Sequence, residues 1–232
     1  MKRFAICIGI ILIVMSILLI TLNFVGFLGS NIHSDDDTYF DGSIKTIEKD
    51  FEPRSDIIKL KIEDPVGKID IEGYDGDVVK IRAEKHVSFG SIDEIKVNIG
   101  YDDDTILIST KMPHHLIYPV KAKVYYEIKI PNDLVIEIDA ESDVGSINVH
   151  LKKCCDMDLK TDTGSITVKI PKDSDVKIDA ESDVGNIYCD LPLEMKRETR
   201  EIVGHKIVGV IGSGRYRIKL KTDVGSIKIK GF

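Results

Sequence analysis

No tryptophan occurs in the 232 residues, and phenylalanine and tyrosine together make up only 6% of the chain. Broad aromatic platforms for stacking sugars or single-stranded bases are therefore scarce, which disfavours a carbohydrate-stacking groove. A basic block is missing as well. The net charge is −7, and 32 lysines and arginines are scattered among 39 carboxylates. Nucleic acid needs clustered cations facing its phosphates, so a nucleic-acid partner is excluded. Cysteine is thin: Cys7 falls in the apolar N-terminal segment, leaving Cys154, Cys155 and Cys189. Three is an odd number and no CxxC spacing exists, so neither a zinc site nor a disulfide framework is legible. Buried free thiols are expected, with a Cys155–Cys189 bridge as the alternative in an oxidising compartment. Neither a GxSxG elbow nor an HExxH motif occurs, so no nucleophile–base set or zinc-protease site is predicted. No cofactor and no small-molecule substrate is implied.

One long hydrophobic run is present. Phe4 to Leu28 gives 25 residues without a charge, preceded by Lys2 and Arg3 and followed by Asp35, Asp36 and Asp37. As a helix rising about 1.5 Å per residue, it exceeds the roughly 30 Å hydrocarbon core of a bilayer. The charge flanks hold the N-terminus in the cytoplasm and place the rest outside. A single-pass transmembrane helix over 1–28, a polar stalk over 29–42 and an extracytoplasmic domain over 43–232 are predicted. The rival is a cleaved signal peptide, with the mature chain beginning near Ser30. Signal peptides have shorter apolar cores and an Ala-x-Ala exit, and the Val25–Ser30 exit has no such pattern.

Self-similarity dominates the remainder. Ile138–Gly145 and Ile178–Gly185 both read IDAESDVG; Thr161–Ile166 reads TDTGSI, Thr222–Ile227 reads TDVGSI, and Asp64–Ile69 is a looser DPVGKI. Gly145, Gly164, Gly185 and Gly225 are spaced by 19, 21 and 40 residues, so the period is about twenty. Seven and five residues before each glycine stand Ile138 and Ala140, Met157 and Leu159, Ile178 and Ala180, Ile218 and Leu220. Two after it stand Ile147, Ile166, Ile187 and Ile227. Each copy thus reads as two period-2 strands joined at a glycine turn. The apolar burial available to one copy does not offset the entropy of ordering twenty residues, so copies must share a core.

Two arrangements meet that need: a two-sided β-solenoid with stacked rungs of about twenty residues, or an antiparallel sandwich of hairpins pairing Ala140 with Val149. The charges four residues before the glycine favour stacking in chain order. Glu141, Lys160 and Glu181 would then be opposite-sign neighbours, and the adjoining Ala/Leu alternation suits interdigitating layers. Residues 43–132 are β but irregular, 133–232 regular. Tyr101–Asp104 reads as a turn into the next strand, and 193–206 as a degenerate or bulged-out rung.

Asp143, Asp162, Asp183 and Asp223 share one turn position. Each caps its own turn, or the stacked column holds a hard cation such as Ca²⁺. His114 and His115 cannot easily share one metal if on a strand, and with neither HExxH nor a helical His pair present they read as a loop. Gly209-x-x-Gly212-x-Gly214 lacks the GKS/T ending of a phosphate loop and reads as a turn.

The repeated DVGSI and DTGSI cores, the Ile170-Pro171 and Leu191-Pro192 strand ends and the closing Gly209–Gly214 segment resemble the putative-adhesin domain family. The likeness is loose over 55–232 and close over 134–232. That resemblance implies a surface-exposed β-repeat with an adhesive or envelope role and supplies no catalytic residues. The expectation is a membrane-anchored, non-catalytic interaction module contacting envelope or surface proteins. The alternative is an extracytoplasmic sensory or regulatory domain acting through a membrane partner.

Overall fold

Residues 42–55, 57–117 and 122–232 are described by the structure, a computed structural model. The apolar segment expected to cross a membrane lies outside them, as does nearly all of the stalk. Among the described residues no helix is long and apolar enough to span a bilayer.

Twelve strands carry the fold: β1 (Ser43–Phe51), β2 (Ile57–Tyr74), β3 (Val79–Val87), β4 (Lys96–Asp102), β5 (Thr105–Lys111), β6 (Ala122–Pro131), β7 (Val135–His150), β8 (Asp156–Ile170), β9 (Val176–Cys189), β10 (Glu194–Arg200), β11 (His205–Ile211) and β12 (Tyr216–Gly231). One helical turn, α1 (His114–Ile117), precedes β6. Five strands are long, and each contains one repeat with its glycine at the middle. They pair in parallel in the order β2–β7–β8–β12–β9. The glycines fall opposite one another throughout: Gly67 on Gly145, Gly145 on Gly164, Gly164 on Gly225 and Gly225 on Gly185.

This is the stacked arrangement, and the hairpin alternative is overturned. Ala140 pairs with Leu159 and Ile62 on neighbouring rungs, not with Val149. The looser Asp64–Ile69 copy is a full rung. Parallel neighbours ordinarily need a long crossover. Here the bend at the glycine folds the second arm of each strand back over the first, so a short turn such as 151–155 starts the next rung. The sheet is open, and its topology departs from a simple coil: β12, last in the chain, inserts between β8 and β9. In space Lys160 therefore neighbours Lys221, and Glu181 lies beyond it, contrary to chain-order stacking. Leu159 and Leu220 also stand side by side instead of alternating with alanine.

Inside the bend the arms pack face to face. Ile138, Leu159, Ile178 and Ile218 on the first arm and Ile147, Ile166 and Ile227 on the second are at most 1% exposed, and Ile187 only 4%. Val, Ile and Thr at alternate positions suit a pleated surface with one face buried. The ends are capped differently. β5 adds in parallel to the first arm of β2 and β6 to the second, with β4 beyond β5, and β3 and β1 beyond β6. β11 and β10 form an antiparallel cap on the first arm of β9. Residues 193–206, expected as a degenerate rung, thus supply most of this cap. The turn expected at Tyr101–Asp104 joins β4 to β5 around Asp103, whose φ is 49°.

Candidate functional site

The bend is built from bare backbone. A Cβ added at Gly164 would lie 1.7 Å from the carbonyl oxygen of Gly145, and one at Gly225 would lie 1.7 Å from that of Gly164. Both have φ of +152°, a conformation glycine reaches and L side chains avoid. These residues are therefore less the pivots of tight turns than the close-approach line along which rungs stack. The strands run through them unbroken.

The turn-position acids Asp143, Asp162, Asp223 and Asp183 form one unbroken column along the outside of the bend, because β12 lies between β8 and β9. Among the described residues none accepts a backbone amide, so they do not cap their turns. Two lysines supply countercharge. Lys160 Nζ lies 2.6 Å from Glu141 and 3.3 Å from Asp162, and Lys221 Nζ lies 3.4 Å from Asp183 and 3.6 Å from Asp223. The Glu141 hydrogen bond, then that of Asp162, raises the affinity of Lys160 for its proton; Asp183 foremost does so for Lys221. Burial, then the charges of Asp162 and Glu141, pushes the Asp143 carboxyl up. Among the described residues no three carboxylate, imidazole or thiol groups converge as a metal ion would require.

One position further from the glycine, on the inward side, lies a second polar column: Asp64, Ser142, Thr161, Thr222 and Ser182, all at most 3% exposed. Ser182 Oγ donates to Gly225 O at 3.0 Å. The hydroxyls of Ser142, Thr161 and Thr222 and both carboxylate oxygens of Asp64 have no hydrogen-bond partner among the described residues. Burial pushes the Asp64 carboxyl up to about 7; nearby Thr110 opposes this and the charge of Asp143 adds to it. Beside it the Thr110 and Tyr126 hydroxyls share a bond of 2.5 Å. Burial, then the Asp64 charge, drives the Tyr126 phenol up. At the other end His205, opposite Ser182, is 4% exposed. Its Nδ1 accepts from the Ile187 amide at 2.9 Å, so the proton sits on Nε2 and is donated to Glu198, also at 2.9 Å. Lys196, His205 and Arg200, in that order, hold the Glu198 carboxyl down at about 2. Sequence reasoning missed this column, although its parity with the buried positions two and four residues earlier places it inward.

Residues 30–230 match the Toastrack DUF4097 family. The chain belongs to that family. No curated protein matches this Toastrack chain. Solved structures similar to it include a candidate cell adhesion protein from Clostridium sporogenes, 18% identical, covering 82% of this chain and all of its own, with a TM-score of 0.49. A candidate adhesin from Bacteroides fragilis is 14% identical, covers 80% of this chain and 97% of its own, and scores 0.20. Another from Parabacteroides distasonis is 12% identical, covers 82% and 71%, and scores 0.27.

The remaining sequence candidates of this Toastrack domain are dispersed. Cys154, Cys155 and Cys189 are free thiols, so the Cys155–Cys189 bridge is not formed. Cys155 precedes β8 and Cys189 ends β9, with β12 between those rungs. Burial raises all three thiols, which disfavours the reactive thiolate. His114 and His115 lie on α1 and not in a loop, and His115 Nε2 sits 3.2 Å from Glu94. The Gly209–Gly214 segment does cradle an anion, but an internal one. Asp175 accepts from the Gly214 amide at 2.6 Å, the Arg215 amide at 3.1 Å and the Ser213 hydroxyl at 2.8 Å. The Arg215 amide and Ser213 hydroxyl hold its carboxyl below the usual range.

Proposed function

We propose that this chain is a membrane-tethered, extracytoplasmic and non-catalytic interaction module, adhesin-like in the sense that a stiff β body presents its outer faces to surface molecules. The observation that carries the reading is the in-register stack of bent rungs. Its interior is consumed by packing, and its exterior is a regular lattice of ionic and hydroxyl groups. Opposite Ser182 in the buried polar column, His205 has both ring nitrogens engaged, one by a backbone amide and one by Glu198, which suits a structural role better than that of a general base. The charge-free run Phe4–Leu28, with Lys2 and Arg3 before it, supports an uncleaved anchor with its N-terminus inside.

Two measurements test this. Protease added to intact spheroplasts should remove the 43–232 region while N-terminal sequencing of the membrane-retained chain still reads from Met1 or Lys2. A mature chain beginning near Ser30 rejects the anchor. Full-length protein should also capture its own cell-surface material in pull-downs. If photocrosslinkers placed within residues 4–28 trap one membrane protein and the surface pull-down is empty, the sensory alternative replaces the adhesive one.

A further inference from the structure

The two outer faces of the stack are built differently. On the first-arm face carboxylates abound, and lysines pair with them across neighbouring strands: Lys59 with Glu137 at 2.9 Å, Lys219 with Asp158 at 2.9 Å and, from the cap strand β11, Lys206 with Glu181 at 2.5 Å. On the second-arm face the outward positions of β7, β8 and β12 carry no carboxylate, in a chain with 39 of them. Next to the glycines stands a serine column, Ser146, Ser165 and Ser226. Two residues on stand Asn148, Thr167 and Lys228, and beyond them His150, Lys169 and Lys230. Lys169, Lys228 and Lys230 are exposed and make no ion pair among the described residues. Lys230 lies opposite Lys169 on the adjacent strand, with backbones about 4.8 Å apart, and Lys228 stands two residues before Lys230 on the same face. Like charges on neighbouring strands without an ion-pair partner repel one another, and an external anion relieves them.

Aromatic rings flank the lysines. Tyr188, opposite Lys228 on β9, is 56% exposed; Phe232 is 55% exposed and packs edge-on against His150 with centroids 5.1 Å apart. On the other flank, a depression of about 240 Å³ separates Asn148, His150, Thr167 and Lys169 from Lys68, Asp70 and Glu72 of β2, and Asn148 Nδ2 donates to Asp70 at 2.8 Å, so the carboxylates resume at β2 and the acid-free strip is confined to β7, β8 and β12.

We infer that the second-arm face of β7, β8 and β12 binds one kind of partner, an anionic, hydroxyl-rich cell-surface polymer lying against the lysines. The inference rests on the interaction-module reading. Three lysines without ion-pair partners among the described residues, on adjacent strands β8 and β12, match an anionic chain, and charge-assisted bonds to carboxylate or phosphate are the strong ones. The serine column and Thr167 offer hydrogen bonds to hydroxyls, while two edge aromatics supply limited apolar contact instead of a stacking groove. A bilayer is disfavoured because the face has no aliphatic side chain to insert.

Detergent-solubilised full-length protein should be retarded in gels containing alginate or poly(glycerol phosphate), but not neutral dextran, and the retardation should weaken with salt. The two polymers separate carboxylate from phosphate as the preferred anion. The triple variant Lys169→Gln/Lys228→Gln/Lys230→Gln should lose about ten-fold in affinity, whereas Lys160→Gln/Lys219→Gln on the opposite face should not. Retention by neither polymer, equal retention by dextran, equal loss in both variants, or binding to phosphatidylglycerol vesicles or DNA in preference to both polymers overturns the inference. Circular dichroism of the triple variant must match the parent, and Lys→Arg at the same three positions must restore binding. If the triple variant still captures cell-surface material, the face is wrong and the module reading stands. If the parent captures nothing, the module reading itself falls.

Discussion

Asp64 stands where the other four rungs carry serine or threonine, and both of its carboxylate oxygens are buried without a hydrogen-bond partner among the described residues. In the unfolded chain it titrates near 4, whereas burial moves it to about 7 in the folded protein. Between those values the folded state holds a proton that the unfolded state has released. Stability linked to this residue is therefore greatest below pH 4 and declines as pH rises to about 7, levelling off above that. Asp64→Asn removes the ionisable group and should flatten this slope. At pH 8 the variant should be more stable by roughly 2–4 kcal/mol, and at pH 4 nearly equal to the parent. Urea unfolding of both proteins at the two pH values checks this; the same difference at each would mean that Asp64 is not buried as a charge. Thr161, two rungs along, has a buried hydroxyl without a protein partner. Thr161→Val keeps the branched shape and should raise stability by about 1 kcal/mol in the same assay, since it removes an unpaired polar group.

Among the elements, the rung is the unit that the sequence reveals and the cap is the one it hides. The glycine spacing, the inward apolar columns and the parity on both sides of the bend are all visible in one chain, because every rung repeats the same burial. Even the pairing of Glu141 with Lys160 follows from adjacency of consecutive copies. The strands of 43–132 were legible as β but not their pairing, since caps carry no repeat and their partners depend on which arm of β2 they meet. Asp143 and its column-mates were seen to align, but their neutralisation by Lys160 and Lys221 depends on side-chain reach. The polar column and the lysine face escaped notice because each rung contributes only one residue at a time to either. The tightest consequence at this scale concerns the glycines. Gly225→Ala would drive a Cβ into the Gly164 carbonyl at an unfavourable φ, and a cost of about 4 kcal/mol or more is expected, seen as a lost or much lowered thermal transition. Gly100 on β4 has open space around it, and Gly100→Ala should change stability by less than about 1 kcal/mol. Equal effects would show that rung contact does not set the glycine requirement.

For the whole molecule, the position of β12 decides how the stack holds together. In a simple coil the last rung is terminal, touches one neighbour and frays first. Here the last strand pairs along nearly its whole length with β8 on one side and β9 on the other, from Ile218 opposite Met157 and Ile178 to Ile229 opposite Val168 and Cys189. The C-terminal residues are tied in too: the Phe232 amide donates to Ile170 O at 3.2 Å, and the Lys172 amide donates to Phe232 O at 3.2 Å. Without β12 the rung β9 and its cap β11–β10 lose their connection to β8, and two half-stacks would each expose an apolar edge. Amide exchange should therefore be slowest in β8, β12 and β9, with Leu220 and Ile227 near the global opening limit although they lie within the last thirteen residues. Edge strands β1 and β10 should exchange fastest. Removing residues 212–232 should abolish the cooperative transition of everything after β8, whereas a terminal rung of a coil could be trimmed with the rest left standing. Rapid exchange at Leu220 and Ile227, or a truncated chain that keeps the parent's unfolding midpoint, would place β12 at the end of the stack and not in its centre.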